Sequence, residues 1–356
     1  MNQKEVSELR RRFRPDKSAV SRIYGCYVNS SREIVSYLDE SLGSMPQDEV
    51  EKYLSLLKRS LSGTLGRNLI DLVFSTQQVA DSEEHRLLMS LRDSKLKDHG
   101  TRERFYRKVI DSLELEESGY LILLVHDDYD VPRRAKDDTV MRDASDEVFS
   151  YLLCCVCPIK ERKAELGFLF PAFDDRAANL YNALFYTRKA GEIHQEFIDA
   201  IFHVEPPMSA AEQREAFQAA LSDALDEAYQ VEIAQTVYER LNERIQAHKE
   251  NKDPEAPVIT PGEIGGILRE CGVAEEQVAA FQEQCAQQFG SGAALNPANL
   301  IDAGHFEVKT ADATISVPPE RSYLVETRVI DGRRYLLVPA EEAVEINGAP
   351  VRVAKP

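Results

Sequence analysis

The sequence lacks any hydrophobic run long enough to cross a membrane. Its longest apolar run, residues 151–159, is much shorter than the roughly 20 apolar residues that a membrane-spanning helix needs. The polar first residues also lack the apolar core of a secretory signal. We therefore expect a cytoplasmic protein with no membrane partner.

Cysteine is scarce, with six in 356 residues, which argues against a disulfide scaffold. Cys154, Cys155 and Cys157 lie together in the longest apolar run. If this run is a strand, Cys155 and Cys157 share one face and Cys154 points to the other. No second cysteine pair stands at the spacing of a zinc site. We predict three small buried hydrophobic residues rather than a metal or redox site.

The common nucleotide-binding motifs are also missing. Neither G-x-x-x-x-G-K-[ST] nor G-x-G-x-x-G occurs, and Gly262, Gly265 and Gly266 follow a helix cap rather than a strand. His126 has no serine, cysteine or lysine nucleophile motif beside it. The sequence therefore favours a binding protein over an enzyme without excluding catalysis, and it implies no cofactor.

Basic residues are outnumbered, with 43 Lys and Arg against 61 Asp and Glu and a net charge of −18. The excess is uneven, because residues 208–302 are strongly acidic whereas residues 1–24 carry more bases than acids. Phosphate contacts need clustered cations, so the overall acidity argues against nonspecific wrapping of nucleic acid. A local basic footprint remains compatible with it.

Apolar patterns predict a β-sheet in the first part of the chain. Residues 23–28 and 34–38 are typical of a hairpin, and residues 120–125 form the uninterrupted apolar run of a central strand. The charged residues 132–146 are predicted to form a surface loop. Further strands are predicted at 68–74, 148–157 and 166–170, with helices at 46–62, 80–97 and 101–114.

Helical patterns dominate the middle of the chain. Ser209-Ala-Ala-Glu212 is a capping box and Thr260-Pro-Gly-Glu263 is a second helix start. After residue 302 the pattern alternates again, and Asp331-Gly332 and Asn347-Gly348 are hairpin turn signals. We therefore predict an α+β fold. Its domains would be a mixed-sheet domain with helices at 1–175, an acidic helical region at 176–302 with a linker near 250–258, and a small β module at 303–356.

Two basic stretches are candidate contacts for nucleic acid. Each interleaves cations with aromatic residues on a predicted helix, which suits phosphate contact combined with base stacking. The alternative is an ordinary solvated helix face with i,i+4 pairs such as Glu103 with Arg107. The candidate residues are Arg10, Arg11, Arg12, Arg14, Lys17 and Arg22 in the first stretch, and Arg104, Arg107 and Lys108 in the second.

Two acidic groups could form a metal site. Asp127, Asp128 and Asp130 follow the central strand, and Asp174 and Asp175 precede an arginine. Carboxylates at a strand end can bind Mg²⁺ for phosphoryl chemistry, which gives a metal-dependent phosphoesterase as one alternative function. They could equally begin a solvated loop and cap a helix.

Several segments resemble an uncharacterised bacterial family, a domain of unknown function, over the whole chain. That resemblance implies no activity. The segments are Arg11-Arg-Phe-Arg-Pro-Asp16, Ile23-Tyr-Gly-Cys-Tyr-Val28, Phe74-Ser-Thr-Gln-Gln-Val79, Phe170-Pro-Ala-Phe-Asp-Asp-Arg176 and Glu205-Pro-Pro-Met-Ser-Ala-Ala-Glu212.

A second resemblance covers about residues 119–350. The strand Phe306-Glu-Val-Lys-Thr310, the close Val344-Glu-Ile-Asn-Gly-Ala-Pro350 and the order of elements before them are similar to a bacterial family of nucleoid-associated proteins. Residues 319–338 form a longer segment than that family's pattern, and the first 100 residues show no match. The resemblance implies a DNA-linked protein that acts by binding.

The sequence thus favours a non-enzymatic, nucleoid-associated-like binding protein that contacts DNA. A homodimer with further protein partners is expected, with the acidic helical half facing them. The alternatives are the phosphoesterase described above and a protein–protein adaptor.

Overall fold

The structure, a computed structural model, contains two compact units, each with hydrophobic core of its own. It describes residues 1–16, 18–113, 115, 119–134, 140–251, 255–340, 344–346 and 349–351, with the backbone alone at 133–134 and 140–146. The first unit comprises Met1–Glu212 and Asp253–Ala256, and the second comprises Gln213–Lys252 and Pro257–Pro356.

The first unit is built around a seven-stranded sheet. The strands of the first unit are β1 (Arg22–Val28), β2 (Ile34–Ser41), β3 (Leu69–Val73), β4 (Tyr120–Arg134), β5 (Val140–Pro158), β6 (Leu166–Phe170), β7 (Ala172–Asp174), β8 (Ala177–Asn179) and β9 (Asn182–Thr187). Its helices are α1 (Gln3–Arg11), α2 (Gln47–Arg59), α3 (Thr76–Asp81), α4 (Glu83–Asp93), α5 (His99–Ser112) and α6 (Gln195–Phe202). Strands β7 and β8 form a separate small hairpin.

The main sheet is antiparallel throughout, which corrects the mixed sheet expected from the sequence. Its order is β2-β1-β4-β5-β6-β9-β3, and every neighbouring pair is antiparallel. Short connections join β1 to β2 and β5 to β6, and such connections can only link antiparallel strands. The helices between β3 and β4 lead to different parts of the sheet instead of forming a parallel crossover. The α+β class is confirmed.

Alternation along the central strand divides the core into two layers. Ile122 and Leu124 of β4 face helices α4, α5 and α6, whereas Leu123 and Val125 face α1 and α2. The cysteines follow the same rule, because Cys154 lies in the first layer and Cys155 in the second, and both are fully buried. Their predicted role as buried small residues in a core strand is confirmed.

Most of the charged segment predicted as a surface loop instead belongs to strands β4 and β5, which form a long β-ribbon that includes residues 132–134 and 140–146, whereas residues 135–139 lie outside the described residues. Strands β4 and β5 stay paired well beyond the sheet, with Tyr129 opposite Phe149 and Asp130 opposite Val148. Tyr129 and Val131 are buried, so the alternation continues where the sequence pattern is masked by charge. The register shifts next to Pro132, which has no N–H for the ladder.

Strand β9 shows that the sheet continues past residue 175, where the sequence pattern predicts a domain boundary. It pairs with both β6 and β3, so residues 182–187 are an internal strand of the first unit. The sequence pattern places these residues in the predicted helical region, because the apolar residues here fit the period of a helix as well as that of a strand.

The second unit combines helices with three small hairpins. Its elements are α7 (Ala210–Leu225), α8 (Val231–Asn251), α9 (Pro261–Glu270), α10 (Glu275–Phe289), α11 (Pro297–Leu300), β10 (Phe306–Lys309), β11 (Thr314–Val317), β12 (Glu326–Ile330), β13 (Arg333–Leu337), β14 (Val344–Ile346) and β15 (Ala349–Val351). Helix α7 starts just before the division between the units. The acidic helices and the small β module expected from the sequence are both present.

Local signals in the second half of the chain behave as predicted. Ser209 and Glu212 exchange the hydrogen bonds of a capping box, and Thr260 and Glu263 do the same. The turn between β12 and β13 places Asp331 and Gly332 at φ 49° and 78°, the conformation that Asp-Gly favours. The second turn signal, Asn347-Gly348, lies outside the described residues.

In the part of the chain that the structure describes, no helix is both long and apolar enough to span a membrane.

Candidate nucleic-acid interface

Helix α1 carries Arg10 and Arg11 of the first basic stretch, Arg12 caps its C-terminus, and Arg22 belongs to β1. The helix and the residues that follow it are anchored by an apolar face. Val6, Leu9 and Phe13 are buried in the layer that α1 shares with α2. The Arg12 side chain turns inward, with its Nε 2.6 Å from Asp127 Oδ2 and its guanidinium 4.5 Å from the centre of the Tyr129 ring. The Arg12 side chain therefore stabilises the fold and is not available to phosphate.

The other cations of that stretch differ in availability. Arg22 pairs with Asp39 at 2.5 Å, and Arg10 is half-buried. Arg11 and Arg14 are exposed and form no ion pair within the described ranges. Lys17 lies outside the described residues. Among the described cations of this stretch, Arg11 and Arg14 are thus both exposed and without an ion pair.

The second basic stretch, on α5, is largely neutralised. Arg107 donates to Glu103 at 2.8 Å, which is the i,i+4 pair that the sequence offered as the alternative explanation. Lys108 pairs with Glu84 at 2.9 Å and also donates to a backbone carbonyl. Arg104 is exposed and has no ion pair among residues that the structure describes.

The two stretches lie on opposite faces of the main sheet. Helix α1 packs on the layer that contains Leu123 and Val125, whereas Phe105 and Val109 of α5 pack on the layer that contains Ile122. The sheet therefore lies between the cations of α1 and those of α5, whereas Arg22 of β1 shares Asp39 with Arg102 of α5.

The candidate metal ligands Asp127, Asp128 and Asp174 each pair with a cation instead of converging on one site. Asp127 is buried and accepts hydrogen bonds from Arg12 and from the Tyr151 hydroxyl, and Asp128 pairs with Lys95 at 2.5 Å. Because Asp127 and Asp128 are adjacent on a strand, their side chains point to opposite faces. Asp174 binds the amino group of the first residue at 3.1 Å.

Asp130 and Asp175 are exposed. Within the described ranges, no three His, Cys, Asp or Glu side chains lie close enough together to hold a metal ion. The described residues therefore offer no ligand set for the phosphoesterase alternative.

A serine–histidine contact lies at the root of the β4–β5 ribbon. His126 Nε2 is 2.8 Å from Ser150 Oγ and 3.5 Å from Asp128 Oδ1. Both partners meet the same ring nitrogen, whereas a catalytic relay needs the carboxylate on the other one. Burial lowers the pKa of His126 below its ordinary value of 6.5, despite the neighbouring carboxylate. The arrangement is a neutral polar network rather than a nucleophilic triad.

The four cysteine thiols buried in the first unit are unreactive. Burial raises the pKa of Cys26 to about 12 and that of Cys157 to about 11, and it raises the pKa of Cys154 and Cys155 as well. Reactive cysteines need a lowered pKa and access to solvent. These residues therefore offer no thiolate at neutral pH.

The hairpin of β12 and β13 is a cationic surface that the sequence analysis missed. Arg328, Arg333 and Arg334 are exposed, as are Val329 and Tyr335. We call these two strands the arginine ribbon. Its sequence, Arg328-Val-Ile-Asp-Gly-Arg-Arg-Tyr335, interleaves cations with apolar and aromatic residues around a turn. The criterion applied to α1 and α5 would have found it, had it been applied to strands as well as helices.

Cross-strand pairing determines which face of the arginine ribbon each side chain occupies. Arg328 lies opposite Tyr335, and Ile330 lies opposite Arg333, so these four side chains share one face. The other face carries Val329 and Arg334, and residues of both faces line a cavity of about 580 Å³ shared with the β10–β11 hairpin.

The charges of the ribbon remain largely free. Arg328 pairs with Glu326 at 2.7 Å, but this pair is exposed and worth little. Arg333 and Arg334 form no ion pair in the described part of the chain.

The comparisons with known proteins show the family. The model of one family, described as Domain of unknown function (DUF4317), matches residues 1–168 and 164–349. No curated protein matches the chain. Because the two matched ranges together cover nearly the whole sequence, the chain belongs to the DUF4317 family.

Proposed function

We propose that this protein is a non-enzymatic binding protein that contacts duplex DNA through the arginine ribbon. The observation that carries the proposal is the exposed hairpin with Arg328 and Arg333 beside Tyr335 on one face and Arg334 on the other. No other described surface combines several exposed arginines with an aromatic side chain on one small element.

The geometry of a two-stranded ribbon suits a DNA groove. The major groove of B-DNA is wide enough to admit an antiparallel pair of strands. Arginine side chains can contact phosphate oxygens or the edge of guanine, and a tyrosine ring adds apolar contact. Glu326 and Asp331 lie on the same hairpin, so the contact would be weak and selective in orientation rather than a broad basic surface.

The overall charge of −18 sets the expected strength of this contact. A small local patch on an acidic protein can neutralise only a few phosphates, so binding should fall steeply as salt rises. A homodimer would present two ribbons and double the number of phosphates contacted. Arg11 and Arg14 are the candidates in the first unit for a supplementary contact.

The resemblance to the nucleoid-associated family is the sequence support for DNA as the polyanion. It rests on Phe306-Glu-Val-Lys-Thr310, on the close Val344-Glu-Ile-Asn-Gly-Ala-Pro350 and on the order of elements, and residues 319–338 form a longer segment here than in that family's pattern. The arginine ribbon lies within that longer segment. The proposal therefore assigns the DNA contact to a part of the chain that departs from the resemblance.

The test is fluorescence anisotropy with a short labelled duplex over a range of salt concentrations. Wild-type protein should bind at low salt, with an affinity that falls as salt rises. The variant Arg333→Ala/Arg334→Ala should bind more weakly and reduce the slope of log K against log salt by about two, one for each lost phosphate contact.

The matched control is Arg240→Ala/Arg269→Ala. It removes the same charge from the same unit, but Arg240 pairs with Glu243 and Glu270, and Arg269 pairs with Glu275. Equal slopes in the two double variants, or no binding by wild type at the lowest salt, would refute the proposal. Stable capture of a protein partner from nuclease-treated extract, without DNA binding, would favour the adaptor alternative.

A further inference from the structure

A row of buried and half-buried side chains lines a groove at one end of the first unit's sheet. Tyr27 of β1 pairs with Leu121 of β4, and Leu121 pairs with Cys157 of β5. These three side chains therefore form a line across three adjacent strands, about 10 Å long at the usual spacing of strands. They form the floor of a groove of about 730 Å³ beside helix α2.

The walls of the groove add further apolar surface and a polar pair. Ile159, which follows β5, is 49% exposed although it is a large hydrophobic residue. Tyr53 of α2 lies opposite, with its hydroxyl 3.1 Å from that of Tyr27. A largely apolar lining with a few polar groups, at this volume, is typical of a small-molecule site.

Charge is distributed unequally along the groove. Arg59, in the last turn of α2, and Arg162 line it, and both are exposed without an ion pair among the described residues. The acids Asp48, Glu49 and Glu51 lie near the start of the helix. At 1.5 Å per residue they are about 12–17 Å along the axis from Arg59. That separation exceeds the screening length of about 8 Å at physiological salt, so these three acids are largely screened from Arg59. The nearer carboxylates, Glu161 and Glu165, pair with Arg188.

The floor adds no negative charge that would oppose an anion. Burial raises the pKa of Cys157 to about 11, so this thiol is neutral at physiological pH. Burial also raises the pKa of Tyr53, which keeps its hydroxyl protonated and able to donate a hydrogen bond.

We propose that this groove binds a small molecule in which a carboxylate is attached to an apolar body, such as an aryl- or alkyl-carboxylate. The apolar body lies over Tyr27, Leu121 and Ile159, and the carboxylate meets Arg59 and Arg162. Arginine suits this role because its planar guanidinium can donate two parallel hydrogen bonds to a carboxylate. This site is independent of the proposed DNA contact, which lies in the other unit.

Isothermal titration calorimetry of the full chain with phenylbutyrate tests the proposal. Phenylbutanol, which keeps the ring and chain but lacks the charge, should bind roughly tenfold or more weakly, because it cannot form the charge-assisted hydrogen bonds. Arg59→Glu and Arg162→Glu should weaken phenylbutyrate binding by a similar factor. Arg104→Glu, an exposed position on the opposite face of the sheet, should leave the Kd unchanged.

A second readout does not depend on binding heat. The chain contains no tryptophan, so Ser55→Trp introduces a single reporter on the groove wall. Phenylbutyrate should change its fluorescence saturably with the Kd found by calorimetry, and circular dichroism verifies that each variant is folded. If Arg59→Glu is unfolded, Arg59→Gln takes its place.

Three results would overturn the proposal. The first is the absence of a saturable signal from wild-type protein with phenylbutyrate in both assays. The second is binding of phenylbutanol as tight as that of phenylbutyrate, and the third is a loss of binding in Arg104→Glu as large as that in Arg59→Glu. The second result would show an apolar site without carboxylate recognition, and the third would place the ligand elsewhere.

Discussion

Arg12→Ala should destabilise the first unit by about 3 kcal/mol, because it leaves the Asp127 carboxylate buried without its cation. The Asp127 side chain is only 3% exposed and that of Arg12 is 17% exposed. The pair joins α1 to β4 across 115 positions of sequence, with 2.6 Å between Nε and Oδ2. Its removal also deletes the contact of the guanidinium with the Tyr129 ring.

The expected magnitude follows from what remains after the substitution. Removing one partner of a buried ion pair costs about 3–5 kcal/mol. The Tyr151 hydroxyl still donates to Asp127 at 2.9 Å, and the space left by the arginine opens toward solvent, since that side chain was partly exposed. Both effects place the cost at the lower end of the range.

The assay is urea unfolding followed by circular dichroism, with Arg11→Ala as the matched control. Arg11 is the neighbouring residue and is exposed, so its removal should leave the unfolding midpoint unchanged. Folded Arg12→Ala protein should keep the wild-type salt slope for DNA, because Arg12 is not available to phosphate. The reasoning is refuted if Arg12→Ala unfolds at the same urea concentration as Arg11→Ala.

Three further predictions follow from burial and backbone geometry. Burial lowers the pKa of His126 and His194 below 6.5, so the folded chain binds fewer protons there than the unfolded chain does. The free energy of unfolding should therefore fall as the pH drops below about 6.5, and His126→Asn should flatten that slope; an unchanged slope would contradict this. A thiol reagent should label native protein at Cys271, the only half-exposed cysteine in the described residues, and at all six cysteines after denaturation; labelling of native Cys271→Ser protein would count against it. Gly25→Ala should lower the free energy of unfolding by about 3 kcal/mol, because the added Cβ meets a backbone carbonyl of the neighbouring strand. Gly266→Ala, with open space around it, should not destabilise the protein. Equal unfolding midpoints for the two variants would disprove the clash.

The features that the sequence predicted well are those determined by neighbouring residues. The capping box at Ser209 and the Asp331-Gly332 turn depend on side chains within a few positions of each other. The alternation around Cys154 depends only on the period of a strand. Such local signals were sufficient for the α+β class and for the small C-terminal β module.

The features that the sequence did not predict depend on distant partners. The order of the seven strands places β3 beside β9, and no local pattern indicates that pairing. The β4–β5 ribbon beyond Asp130 is stabilised by pairing between these two strands. That pairing overrides a charged sequence that favours a loop. The commitment of Arg12 to Asp127 likewise required the fold, because the two residues are far apart in sequence.

The same limit explains why one sequence criterion gave three different outcomes. Cations interleaved with aromatic residues occur in α1, in α5 and in the arginine ribbon. In α1 the aromatic partner of Arg12 is Tyr129, so the cation and the ring stabilise the interior. On α5 two of the three cations are neutralised, Arg107 by Glu103 of the same helix and Lys108 by Glu84 of α4. In the arginine ribbon, Arg333 and Arg334 are exposed and form no ion pair in the described part of the chain. Availability to a polyanion is thus decided by tertiary pairing, and on that criterion the ribbon is the better candidate.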